Sequence, residues 1–165
     1  MKAHMTNGTL EIITKITNKH PDIKFYLMNS GTNVLAYYED SKQNIFASGR
    51  GYEILISKGT IRNKGFVVMN NITVTEDGRT VFEDRFKQRS SSIESSPGFQ
   101  AFRLLEPESG NKYIVFTQWA SIEDYDNWKN SDAFKKQHQS AGGTKPPAYF
   151  ADTPYITTYN MVDTD

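Results

Sequence analysis

Three features in the second half of the chain could bind or activate a ligand. They are an asparagine inside an apolar stripe, two arginines beside an apolar helix face, and a tryptophan followed ten residues later by a histidine. In FVVMNNITVT (66–75), a side-chain period of two places Phe66, Val68, Asn70, Ile72 and Val74 on one face of a strand. Val67, Met69, Asn71 and Thr73 lie on the other. Asn70 is thus a carboxamide among apolar neighbours, and leaving such a group unsatisfied costs about 1–3 kcal/mol. Its partner is either a nearby loop or helix end, or a bound ligand. Asn71, on the opposite face, is expected to matter little to ligand chemistry.

In TVFEDRFKQRSSSI (80–93), Phe82, Phe86 and Ile93 mark the inward face of a helix, with Arg85 and Arg89 on or beside it. Such arginines either lay their stems over apolar surface with the heads in water, or meet the carboxylates of a ligand whose body is apolar. DNWKNSDAFKKQHQ (126–139) holds Trp128 and His138. Zero cysteines remove disulfides, thiolate nucleophiles, zinc ribbons and thiolate-ligated haem. A transition metal would therefore draw its nitrogen from His4, His20 or His138. Taken singly, His138 reads equally as a boundary residue, and Trp128 as core packing with Ile122 and Tyr125. Trp119, at the end of an apolar strand, reads as core.

The elements that must position these residues follow from the punctuation. FVVMNNITVT is rich in strand formers, and TEDG turns it into the helical run 80–93. FQAFRLL (99–105) and KYIVFTQW (112–119) are strands around the polar turn EPESGN. Ser121, with Asp124 three residues on, caps a helix IEDYDNWKN, and Ser131 opens a second short one, DAFKKQHQ. A Gly- and Pro-rich loop precedes a last strand, YITTYNMV (155–162). The order β-α-β-β-α-β predicts a ferredoxin-like α+β fold, an antiparallel sheet with helices on one face.

The first 60 or so residues read as a degenerate β-α-β-β-α. A helix covers 8–20, IKFYLMN and NVLAYYE form a hairpin around SGT, and RGYEILISKG (50–59) reads as a short helix ended by Gly59. The expected division is a degenerate half over 1–62, packing on the sheet of a second domain over 63–165, as an intrachain pseudo-dimer. At 165 residues the chain can build one full core or two half-domains sharing one. The balance of 19 Lys+Arg against 19 Asp+Glu gives no electrostatic reason to expect nucleic acid or an anionic membrane as partner. No apolar run reaches the roughly 18 residues of a membrane span. The N-terminal stretch lacks an apolar h-region and a small-residue cleavage site, so a cytoplasmic address is expected.

The combination of MNNITVT, RFKQR, PGF, TQW and DNWKNSDAFKKQH resembles the IsdG-type haem-degrading monooxygenases, which have the dimeric α+β barrel (ABM) fold. The likeness covers about residues 66–162 and includes the segment W-x-x-S-x-x-F-x-x-x-H. The extra N-terminal half is similar to that of the longer, HmoB-like members. The sequence departs from shorter members at Asn71, where they tend to carry a basic residue. The resemblance implies that haem, as both substrate and cofactor, lies between the sheet and helices of the second half. It implies His138 as axial ligand to iron, Asn70 as an amide donor toward dioxygen, and Trp128 pressing on the macrocycle. Arg85 and Arg89 would meet the propionates. Dioxygen and electrons from an external reductase or small reductant would open the ring and release iron. A monomer is expected, because family members with one half pair through their sheets and this chain carries its own second half. Two other classes share the outline: a non-catalytic haem-binding or signalling protein, and a cofactor-free quinol-type monooxygenase.

Overall fold

A computed structural model describes residues 1–42, 44–88, 93–131 and 147–162. Eight strands and three α-helices follow in the order β1 (Lys2–Gly8), α1 (Leu10–Asn18), β2 (Tyr26–Ser30), β3 (Asn33–Asp40), β4 (Arg50–Gly59), β5 (Phe66–Thr73), α2 (Arg79–Gln88), β6 (Phe99–Pro107), β7 (Lys112–Trp119), α3 (Ile122–Lys129) and β8 (Tyr155–Met161). From β5 onward this is the expected β-α-β-β-α-β. Short 3-10 turns stand at Glu76–Gly78 and Ile93–Ser95.

The strands form one closed, antiparallel barrel in the order β1-β3-β2-β8-β5-β7-β6-β4. Each half supplies a four-stranded ferredoxin-like sheet, β4-β1-β3-β2 and β8-β5-β7-β6. The halves join edge to edge, with Met28 of β2 opposite Met161 of β8 and Ile54 of β4 opposite Leu105 of β6. The registers repeat. Met5 lies opposite Tyr37 as Met69 lies opposite Phe116, and Ala3 opposite Tyr52 as Val67 opposite Tyr159. The Tyr37 and Phe116 rings stack inside the barrel, 5.4 Å apart. In this register the position of Asn70 corresponds to Thr6 in the first half.

Strand alternation divides the side chains cleanly. Ala3, Met5, Met28, Leu35, Tyr37, Val67, Met69, Leu105, Ile114 and Phe116 fill the interior. The outward face of β5, β6 and β7 (Phe66, Val68, Ile72, Phe102, Leu104, Tyr113, Trp119) packs under α2 and α3 through Phe82 and Tyr125. The matching face of the first half is closed by α1 through Ile13 and by the loop carrying Phe46, against Val34, Ala36 and Tyr38. Tyr38 holds that loop by accepting the Ile45 N–H at 2.9 Å.

Three expectations need correction. RGYEILISKG is strand β4, not a helix. Its consecutive apolar run Ile54-Leu55-Ile56 imitates helical spacing because the register shifts between Ile54 and Ile56, a bulge that inserts Leu55. The leading strand of the expected β-α-β-β-α was given no residues; it is β1, whose polar residues and glycine dilute the alternation that buries Ala3 and Met5. The described part of helix 80–93 ends at Gln88, followed by the 3-10 turn around the buried Ile93. The short helix expected over DAFKKQHQ lies outside the described residues.

Candidate functional site

β5 presents its two asparagines as the alternation requires. Asn71 is buried on the interior side, where its Nδ2 donates to the carbonyls of Met69 and Tyr155, both at 3.2 Å, and to Thr157 Oγ1 at 3.3 Å. It is a clasp between β5 and β8, a structural role separate from ligand chemistry. Asn70 is half-buried on the helix side, between Val115 of β7 and Ile156 of β8. No hydrogen bond engages its carboxamide among the described residues.

α3 is set by its N-terminus. Ser121 Oγ accepts the Asp124 N–H at 3.2 Å and donates to Asp124 Oδ2 at 2.9 Å, closing the first turn. Gly98, at φ +79, lets the chain pass directly against the Asp124 side chain, where any Cβ would collide. This placement brings Trp128 over Trp119, with ring centroids 5.3 Å apart, and beside Tyr125 at 6.3 Å. Trp128 remains half-buried, whereas Trp119 is fully buried and donates its Nε1–H to Thr117 Oγ1 at 3.1 Å.

α2 packs Phe82 on Tyr113 at 4.8 Å and on Phe86 at 5.0 Å. Arg85 is exposed, with its guanidinium 5.7 Å from the centre of the Tyr149 ring. Tyr149 and Phe150 are in turn fixed to the end of β5, since the Tyr149 carbonyl accepts the Thr75 N–H at 2.7 Å and Ala151 N donates to Thr73 O at 2.9 Å. Arg89 and His138 lie outside the described residues. Of the other histidines, His4 is buried in the first half, stacked on Tyr38 at 4.6 Å, with Nε2 3.0 Å from Asp40 Oδ1. Asn70, Trp128 and the half-buried Phe86 and Val115 thus share one side of one sheet, with Arg85 at its helical border.

A polar cluster anchors α2 to the sheet. Tyr113 donates its hydroxyl to Glu83 Oε2, and Arg79 bonds Glu106 at 3.2 Å, Asn111 Oδ1 at 2.7 Å and the Gly110 carbonyl at 2.8 Å. Burial raises the Glu83 carboxyl above its usual range; the Tyr113 hydroxyl opposes this, and the neighbouring Glu106 adds to it. Burial and then Glu83 push the Tyr113 phenol well up. A carboxyl whose folded pKa is raised contributes stability at low pH and loses it as pH climbs through the raised value. The melting temperature of the wild type should therefore fall, relative to Glu83→Gln, as pH rises above about 4.5, the ordinary value. Parallel melting curves of the two proteins across pH 4 to 7 would contradict this.

Two features escaped the sequence reading. Ile156 is 54% exposed although it is an apolar residue directly opposite Asn70. Its signal was present in YITTYNMV, where one face reads Ile, Thr, Asn. The Glu83–Tyr113 contact, 30 residues apart, had no local signal.

Comparison with known proteins is consistent with this geometry. Residues 65–140 match the family described as antibiotic biosynthesis monooxygenase. The chain is 24% identical over 135 residues to a heme-degrading monooxygenase of Listeria monocytogenes, covering 82% of this chain and 81% of the relative. It is 25% identical over 134 residues to the signal transduction protein TRAP of Staphylococcus aureus, covering 81% and 80%. A solved structure of a major regulator of staphylococcal pathogenesis superposes over 100% of both chains with a TM-score of 0.84 at 20% identity. The second half of this ferredoxin-like α+β barrel is thus similar, over residues 65–140, to the antibiotic biosynthesis monooxygenase domain.

Proposed function

We propose that the protein is a haem-degrading monooxygenase of the longer, two-half type. The observation that carries this reading is Asn70: a half-buried carboxamide, unengaged among the described residues, set in an apolar sheet face that also bears Trp128. The residues suit a porphyrin, which is flat, apolar and edged by two carboxylates. Phe86, Val115, Trp128 and Ile156 offer partly exposed apolar surface, and Arg85 offers a cation at the border.

Haem, when bound, supplies the iron that activates dioxygen and the ring that is opened, with electrons from an external reductant. Asn70 would offer its carboxamide, on the helix side of the sheet, as a hydrogen-bond donor to an oxygen carried by the bound group. Val115, directly opposite Asn70, would keep the surface beside that amide apolar. Trp128, braced from behind by Trp119 and Tyr125, would give a bound ring a firm apolar surface to pack on. Arg85 pairs with a propionate, and Arg89 is assigned the same role from the resemblance. On the same ground His138 would supply the nitrogen that holds the iron. A non-degrading, signalling role has the overall likeness to the staphylococcal regulator in its favour.

Titration with haemin separates these readings. The wild type should develop a Soret band that saturates at one haem per chain, because the first half's corresponding face is filled by Phe46 and α1. Ascorbate or a reductase with oxygen should then bleach it. A persistent band would favour the signalling role, and no band would favour a cofactor-free oxygenase. His138→Ala should lose most affinity, and His20→Ala should not. We also propose a monomer, because the barrel uses both edges of each half-sheet internally. Sedimentation as a tight dimer would refute that assembly.

A further inference from the structure

We propose that Ile156 sets the position of a flat apolar ligand over Asn70, and so decides which part of that ligand meets the amide. The proposal rests on the haem reading above. Asn70 has two cross-strand neighbours on its face, Val115 and Ile156. Beyond Val115 the next residue across the sheet, Leu104 of β6, is fully buried, and along β7 Tyr113 is covered by Phe82 of α2 and donates its hydroxyl to Glu83. The β8 side is open among the described residues. Ile156 is 54% exposed, and Thr158, opposite Val68, is exposed as well.

The barrel geometry explains the opening. β2 meets β8 only at Met28–Met161 and Asn29–Asn160, so the Tyr155–Thr158 stretch runs past the end of β2 while still pairing with β5. A ligand reaching Asn70 from this side passes over Ile156 first. Directly opposed residues on one face have Cβ atoms roughly 4.5–5.5 Å apart, within reach of a single ring edge. A branched side chain there therefore acts as a stop for in-plane sliding. It also gains apolar contact only when the ligand is present, which accounts for an isoleucine left this exposed.

The test uses the full chain and haemin. Ile156→Ala and Ile156→Glu are compared with the wild type and with Ile122→Ala, a similarly exposed isoleucine on α3. All four should melt at similar temperatures without haem. Ile156→Ala should weaken haemin binding about three- to tenfold and Ile156→Glu more, read from the Soret titration. Under turnover, Ile156→Ala should give a broader distribution of ring-cleavage isomers, while Ile122→Ala matches the wild type in both readouts. Wild-type affinity and isomer ratio in both Ile156 variants, with haemin binding intact, would overturn this proposal and leave the haem reading standing. A wild type that binds no haemin would overturn both.

Discussion

Replacing Asn70 with alanine will leave haem bound and slow its degradation about a hundredfold, the usual cost of removing one positioned donor from a reacting oxygen. Binding survives because the apolar surface around Asn70 and the proposed His138 ligand are untouched. Stability survives because no protein group among the described residues depends on the Asn70 amide. The control is one residue along. Asn71→Ala should cost about 1–3 kcal/mol of stability by removing the donor shared by Met69, Tyr155 and Thr157, yet leave the rate of the folded protein near wild type. Melting curves and single-turnover bleaching of both variants decide the matter. A slow but stable Asn71 variant beside a fast but unstable Asn70 variant would mean that the two faces have been exchanged.

The largest stability effect is expected at Arg103. This arginine is buried inside the barrel, where Nε donates to Glu39 Oε2 at 2.9 Å and a terminal nitrogen donates to the carbonyls of Phe102, Lys58 and Gly59 at 2.8, 3.0 and 3.3 Å. The Tyr37 hydroxyl donates to the same Glu39 oxygen at 2.6 Å. Arg103→Met would strand a carboxylate that has limited access to water and leave carbonyls unpaired. We expect a loss of about 2–4 kcal/mol, or several degrees in melting temperature for a chain of this size. Adding Glu39→Leu should recover part of the loss, since the stranded charge goes with it. Thermal melts of wild type, single and double variants measure both statements. A single variant within about 0.5 kcal/mol of wild type would show that the pair is not structural.

These two predictions mark where the sequence speaks and where it does not. The period of two in FVVMNNITVT was enough to set Asn70 and Asn71 on opposite faces, because a half-buried strand leaves its alternation in the sequence. Ser121 and Asp124 likewise announced the start of α3, since a cap acts within one turn. Glu39 and Arg103 announced nothing. They are 64 residues apart, and each alone reads as a charge interrupting an apolar strand. β4 failed for a different reason: its bulge at Leu55 breaks the very alternation by which a strand is recognised. The structural role of Asn71 was not legible because two of its three acceptors lie on β8, 84 and 86 residues away. Local chemistry was legible; long-range polar pairing was not.

The barrel's closure also dictates an order of assembly during synthesis. β8, among the last residues of the chain, is the strand that fits between β2 and β5. Until it leaves the ribosome, the first half waits with the edges of β2 and β4 unpaired, able only to dock β6 on one side. The nascent protein therefore carries an open sheet until Tyr155–Met161 has been made. A chain cut short before Tyr155 would keep bare edges on both β2 and β5, and such edges recruit strands from neighbouring molecules. Quality control for this barrel is thus concentrated in the strand Tyr155–Met161.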